Sequence, residues 1–133
     1  MATSLGRIMV VDDSKTIRDL ISMNLELEGY DVVTAADGQE CLDHLAAVTA
    51  GDEASLQLLL LDVVMPGMDG VELTARLKAT PTTSALPILI VSASAQRRDF
   101  ELARGAGADG YLTKPFSPDD LLDEVARLIL PLP

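Results

Sequence analysis

Three short apolar runs punctuate the chain, Ile8-Met9-Val10-Val11, Leu58-Leu59-Leu60-Leu61 and Ile88-Leu89-Ile90-Val91, and each is cut off by a polar residue. Unalternating runs of this length are what parallel strands show when helices cover both faces of their sheet. Two weaker runs, Val32-Val33-Thr34-Ala35 and Tyr111-Leu112-Thr113, are shorter or more polar and fit strands at the sheet edges. Between the runs the apolar period becomes helical. Ile17, Leu20, Ile21 and Leu25 fall at i, i+3, i+4 and i+8, while Leu121, Leu122, Val125 and Ile129 line one face of a last helix. Stop signals agree with this reading. Ser14 fits an N-cap and Gly29 a left-handed C-terminal position. Asp69 precedes Glu72 at capping-box spacing, and Ser117-Pro118-Asp119-Asp120 combines a cap, a first-turn proline and acids matched to the helix dipole. The stretches Thr49 to Ser55 and Pro81 to Pro87 read as loops. Five strands alternating with five helices predict an α/β fold of three layers, a parallel sheet between two helical layers.

Composition narrows the class. The chain has 133 residues, the size of one domain, with no repeat or low-complexity linker to divide it. Lys plus Arg number 10 against 21 Asp plus Glu, a formal charge of −11, which argues against binding nucleic acid through phosphate contacts. Hydrophobic residues at 48% and charged ones at 23% are ordinary globular usage, so disorder is not expected. No apolar run approaches the ~18 residues of a membrane span, and the start MATSLGRIMVVDD lacks a secretory core, which makes the cytoplasm the expected compartment. Cys41 stands alone, excluding an internal disulfide, and is expected at a helix surface.

In doubly wound sheets, ligands bind beyond the carboxyl ends of the strands. Those positions hold Asp12 and Asp13 after the first strand, Asp62 after the third, Ser92 after the fourth and Lys114 after the fifth. Singly, each aspartate reads as a turn former or cap, Ser92 as a cap and Lys114 as a solvated cation. Together they put three carboxylates, a hydroxyl and an ammonium on one sheet edge. Clustered carboxylates repel and gain proton affinity, which suggests a hard cation held by oxygen. Mg²⁺ fits, with Mn²⁺ as a substitute, because it takes one or two carboxylates, keeps water and accepts a phosphate oxygen. Three aspartates and a lysine sum to −2, which such a cation neutralises. A carboxylate facing a phosphoryl donor there can form an acyl phosphate, with the lysine and hydroxyl stabilising the transferring oxygens.

The segments VVDDS (Val10 to Ser14), LLLDVVMPGMDG (Leu59 to Gly70), ILIVSAS (Ile88 to Ser94) and GADGYLTKPF (Gly107 to Phe116) resemble, in register, the signature set of response-regulator receiver domains of the chemotaxis-regulator-like superfamily. The resemblance implies a (βα)5 flavodoxin-like fold with strand order 2-1-3-4-5 and one receiver domain over residues 1–133, its core spanning about 5–130. It implies that Asp62 is the phosphoacceptor, that Asp13 and Asp62 bind Mg²⁺ directly and Asp12 through water, and that the Val64 carbonyl adds a ligand. Lys114 corresponds to the phosphoryl-binding lysine, Ser92 to the switch hydroxyl, and Tyr111 to the aromatic whose rotamer follows it. The bond before Pro115 is expected to be cis, aiming Lys114 inward. The loop from Met65 to Gly70 follows the phosphoacceptor, its glycines allowing a tight path. Val64 and Ser94 occupy positions that tune acyl-phosphate lifetime in the family.

The implied function is phosphoryl transfer from a sensor histidine kinase or phosphotransfer protein to Asp62, switching the surface of the fourth helix, fifth strand and fifth helix toward an output domain or effector protein. Dimerisation of the phosphorylated form is a further expectation. Five βα units consume the length, so the output is expected outside this chain. The chain is not expected to be an enzyme beyond its own phosphorylation and dephosphorylation. Two rivals are a phosphorylation-independent interaction module and an aspartyl-phosphate phosphohydrolase. The second would carry its nucleophile on the first strand with another Asp two residues on, where this chain has Asp12-Asp13-Ser14. His44, on the second helix, is read as a surface histidine rather than a relay group. Arg97, Arg98 and Arg104 are read as a solvated face on a surface receivers commonly use for partners. Leu130-Pro131-Leu132-Pro133 reads as a natural end or the start of a linker.

Overall fold

A computed structural model describes residues 4–129, so the Leu130-Pro131-Leu132-Pro133 reading lies outside the described residues. The elements are β1 (Arg7–Val11), α1 (Lys15–Glu28), β2 (Asp31–Ala35), α2 (Gly38–Thr49), β3 (Leu58–Asp62), α3 (Gly70–Lys78), β4 (Ile88–Ser92), α4 (Arg97–Gly105), β5 (Gly110–Thr113) and α5 (Pro118–Leu128). All strand pairs are parallel and the order is β2-β1-β3-β4-β5. The two polar runs therefore do lie at the edges.

Side chains alternate across a strand, so each apolar run divides between two cores. Met9, Val11, Leu59, Leu61, Ile88 and Ile90 face Cys41 and Leu45 of α2, Leu73 and Leu77 of α3, and Ala103 of α4. Ile8, Val10, Leu58, Leu60, Leu89 and Val91 face Ile21 and Leu25 of α1 with Leu121 and Val125 of α5. Strands β3 and β4 are buried along their full length, which is why their sequences do not alternate. Burying one such Leu or Ile side chain contributes about 2 kcal/mol, so the central strands anchor the sheet edge on which the site sits.

The caps form as the sequence predicts. Ser14, Asp69 and Ser117 accept backbone N–H bonds from Ile17, Glu72 and Asp120, and Gly29 has φ of 118° at the end of α1. Two expectations fail. Cys41 is fully buried rather than at a helix surface, because it lies one turn before Leu45 on the face of α2 that meets the sheet. Leu20, placed on the inner stripe of α1, is 46% exposed. Ile21 and Leu25 already fill the contact with the sheet, and Leu20 lies one residue, roughly 100°, off that line. With Met23 and Leu27 it forms an exposed apolar stripe along α1. Among the described residues no helix is long and apolar enough to cross a membrane.

Candidate functional site

Strand register assembles the acidic edge. Val11 pairs with Leu61, so the next residues, Asp12 and Asp62, leave neighbouring strands at the same level. Asp12 and Asp62 are buried and Asp13 is exposed, yet one carboxylate oxygen from each lies within 4.8 Å of the others. Ser92 ends β4 and is buried, and its carbonyl accepts the Lys114 N–H at 2.7 Å, which fixes β5 beside it. From there the Lys114 ammonium reaches Asp12 Oδ2 at 3.0 Å and Asp62 Oδ1 at 3.4 Å. The predicted Asp12, Asp13, Asp62 and Lys114 are therefore brought together, with Ser92 on the adjoining strand end.

Asp12 and the backbone at Asp62 are fixed from outside the cluster. Asp12 accepts the Ser14 N–H at 2.9 Å, and its carbonyl accepts from the Arg18 guanidinium at 2.7 Å, tying it to the first turn of α1. Asp62 stands where β3 gives way to the loop leading to α3. Gly70, at the start of α3, packs so closely that a Cβ there would lie 2.2 Å from the Asp62 carbonyl oxygen, while its N–H bonds to Val63 O at 2.8 Å. The two glycines of this loop thus have different reasons. Gly67 has φ of 80° with open space around it, and Gly70 allows a close backbone approach.

Burial raises the Asp62 pKa above the ordinary carboxylate value, the charges of Asp12 and Asp13 raise it further, and Lys114 opposes both. Burial pulls the Lys114 pKa down, but the hydrogen bond and charge of Asp12, with a smaller contribution from Asp62, outweigh it and leave the pKa raised. The lysine stays charged, and one cation faces three carboxylates. Such an oxygen-rich, half-open acidic cluster suits a hard divalent cation, with the exposed Asp13 on the solvent side.

Other predicted positions find defined places. Val64, two residues past Asp62, is 76% exposed. The Lys114-Pro115 bond is cis. The Tyr111 hydroxyl donates to Ser94 O at 2.8 Å, and its ring meets Phe100 edge-on with centroids 5.6 Å apart. His44 is half-buried against Glu53, with Nδ1 3.2 Å from a carboxylate oxygen, and pairs with nothing in the acidic cluster. Arg97, Arg98 and Arg104 are exposed on α4. Sequence reasoning overlooked Asp99, which accepts a bond from the Ser94 hydroxyl. Its position in the first turn of α4, behind the weak cap Gln96, was the available signal.

Comparison with known proteins agrees with this geometry. The family model described as the response regulator receiver domain matches residues 8–126. The DNA-binding dual master transcriptional regulator RpaA of a Synechocystis strain is 36% identical over 125 residues, 94% of this chain and 49% of that protein. The alkaline phosphatase synthesis transcriptional regulatory protein PhoP of Bacillus subtilis is 37% identical over 123 residues, 92% of this chain and 48% of that protein. The chain spans about half the length of the curated relatives it matches. Among solved structures, the chemotaxis protein CheY4 of Vibrio cholerae is 34% identical with a TM-score of 0.82, covering 94% of this chain and 98% of that one.

Proposed function

The chain belongs to the response-regulator receiver family of two-component signalling, and on that premise we propose that Asp62 is its phosphoacceptor, assisted by Lys114 and Ser92. The observation that carries this reading is the convergence of Asp12, Asp13, Asp62 and the Lys114 ammonium at one sheet edge. The family match and the single five-stranded sheet also support reading the chain as one receiver domain.

Asp12, Asp13 and Asp62 are the residues to hold Mg²⁺, with Mn²⁺ as a substitute, and the Val64 carbonyl is the further oxygen ligand. When bound, the cation neutralises the carboxylates and offsets charge on the phosphoryl oxygens. The chain's own residues do the rest. An ionised Asp62 oxygen attacks the phosphorus of a phosphohistidine on a sensor kinase or phosphotransfer protein. A P–O bond forms, the P–N bond breaks, and the leaving imidazole keeps the electron pair and takes a proton from solvent. Lys114 lies close enough to Asp62 to turn its ammonium from the carboxylate to a phosphoryl oxygen, and Ser92 donates its hydroxyl to another. The exposed stripe of Leu20, Met23 and Leu27 runs along α1, whose first residue lies two past Asp13, and offers the donor protein an apolar surface. Water later cleaves the acyl phosphate, so the chain resets rather than turning over an external substrate.

Tyr111 lies on β5 with its ring against Phe100 of α4, and its tie to Ser94 supports its role in passing the change to the α4, β5 and α5 surface, where an output domain or effector protein reads it. The test is incubation with acetyl phosphate and Mg²⁺ followed by intact mass. The wild-type chain gains one phosphoryl group and Asp62→Asn gains none. A chain that gains nothing, or a gain that survives Asp62→Asn, overturns the assignment.

A further inference from the structure

The loop between β4 and α4 converges on one residue. Ser94 uses its backbone N–H to donate to Ser92 Oγ at 3.1 Å, its carbonyl to accept the Tyr111 hydroxyl at 2.8 Å, and its hydroxyl oxygen to accept the Gln96 N–H at 3.2 Å. The Ser94 hydroxyl in turn donates to Asp99 Oδ2 at 2.5 Å, a short hydrogen bond. Gln96, the N-cap of α4, makes no side-chain capping bond, and the Ser94 hydroxyl to Asp99 bond adds a side-chain tie between the loop and the helix.

We infer that Asp99 is a positioning residue of the phosphoryl switch, acting through Ser94 on both Ser92 and Tyr111. Asp99 touches neither Asp62 nor Lys114. By fixing the Ser94 hydroxyl it fixes the backbone on both sides of Ser94, and so directs its N–H onto Ser92 and its carbonyl onto Tyr111. The Ser94 N–H occupies the Ser92 oxygen as acceptor, and among the described residues the Ser92 proton has no acceptor. That proton is thereby free for an anionic oxygen on Asp62, prepared before the phosphoryl group arrives. The Ser94 carbonyl, on the next peptide, holds the Tyr111 hydroxyl, which gives a site remote from the chemistry two outputs through one hydrogen bond. The inference rests on Asp62 as phosphoacceptor.

The experiment measures phosphoryl uptake by the full chain from acetyl phosphate with Mg²⁺, by intact mass against time, together with Tyr111 in the absence of any phosphoryl donor. Tyr30→Phe leaves Tyr111 as the single tyrosine in a chain without tryptophan, so its fluorescence and ring resonances report alone. Asp99→Ala is expected to slow uptake about three- to tenfold, the worth of one hydrogen bond, and to shift the Tyr111 signal. Asp99→Asn, which keeps an acceptor oxygen for Ser94, restores most of the rate. In a Ser94→Ala background, Asp99→Ala changes the rate by less than about twofold, the non-additivity of residues acting through one contact.

Uptake unchanged in Asp99→Ala, multiplicative effects in the double variant, or an unmoved Tyr111 signal each overturns the inference. Should Asp99→Ala fail to fold, Ser94→Ala must reproduce the slow uptake in a folded chain, and normal uptake there overturns it. A wild-type chain that accepts no phosphoryl group overturns the Asp62 reading instead. In that case the donor-free Tyr111 measurement still decides whether Asp99 holds the loop.

Discussion

Asp62→Asn should stabilise the metal-free protein while abolishing phosphorylation. Within 4.8 Å and at an effective dielectric near 20, two carboxylates repel by about 3.5 kcal/mol or more, and the attraction of Lys114 at 3.4 Å is about 5 kcal/mol. Asp13 is exposed and screened, so the repulsion from Asp12 and Asp13 together roughly cancels the pull of Lys114. The cost of burying the Asp62 charge is then left uncompensated, and the neutral amide should gain about 1–3 kcal/mol at pH 7.5 in EDTA. The pH dependence has a definite sign. The folded pKa of Asp62 is raised, so the native chain takes up this proton at a higher pH than the unfolded chain. Wild type therefore gains stability as pH falls through the raised value toward the ordinary one, and the advantage of Asn shrinks over that window. Mg²⁺ at about one hundred times its dissociation constant adds ~2.7 kcal/mol to wild type and less to the variant, which narrows the advantage of Asn. The assay is urea unfolding followed by far-ultraviolet circular dichroism, with and without Mg²⁺, at pH 7.5 and 4.5. A variant no more stable than wild type in EDTA at pH 7.5, or an advantage undiminished at pH 4.5, would refute the reasoning.

Lys114→Met removes the cation that faces two buried aspartates, so the metal-free chain should lose about 2–4 kcal/mol, discounted from a fully buried pair because the lysine side chain is 21% exposed. Urea midpoints in EDTA check this, and a loss under about 0.5 kcal/mol contradicts it. Gly70→Ala forces a Cβ against the Asp62 carbonyl and should cost about 3 kcal/mol or more while slowing phosphoryl uptake; a stable variant with normal uptake would show that the α3 start moves freely. Cys41 is fully buried and burial pushes its thiol pKa up to about 12, so a thiol reagent at pH 8 should label it only in urea, and rapid labelling of the native chain would place the thiol at the surface after all.

Much of this was legible because the informative residues stand at element ends. The runs at Leu58 to Leu61 and Ile88 to Val91 locate strands buried on both faces, and parallel topology then forces Asp62 and Ser92 to one edge whatever the details of packing. Buried or exposed standing within a helix was less legible. Leu20 and Cys41 went to the wrong side because helical spacing gives the direction of a face but not its width, which the neighbouring helices and the sheet decide. The two roles of Gly67 and Gly70 are indistinguishable in sequence, since positive φ and close approach both select glycine. The Ser94 to Asp99 bond was out of reach for another reason. It depends on where a loop side chain turns, and no periodicity encodes that.

The charge balance of −11 acquires its meaning at this edge. A fold could neutralise Asp12, Asp13 and Asp62 with three cations and gain stability, but the site would then have no capacity for an arriving phosphoryl group. Lys114 alone roughly balances the repulsion of Asp12 and Asp13 and leaves the cost of burying the Asp62 charge as a deficit, which appears as its raised proton affinity. On the proposed function, that deficit lets a divalent cation and then a phosphoryl group change the energies of the site by several kcal/mol. A shift of ~5.5 kcal/mol is what carries a two-state equilibrium from 1:99 to 99:1. The instability predicted for the ionised, metal-free Asp62 and the capacity to switch thus have one origin. A variant that relieves the first, such as Asp62→Asn, must also reduce the response of the Tyr111 environment to Mg²⁺ and a phosphoryl donor, and an Asn variant with an undiminished Tyr111 response would separate them.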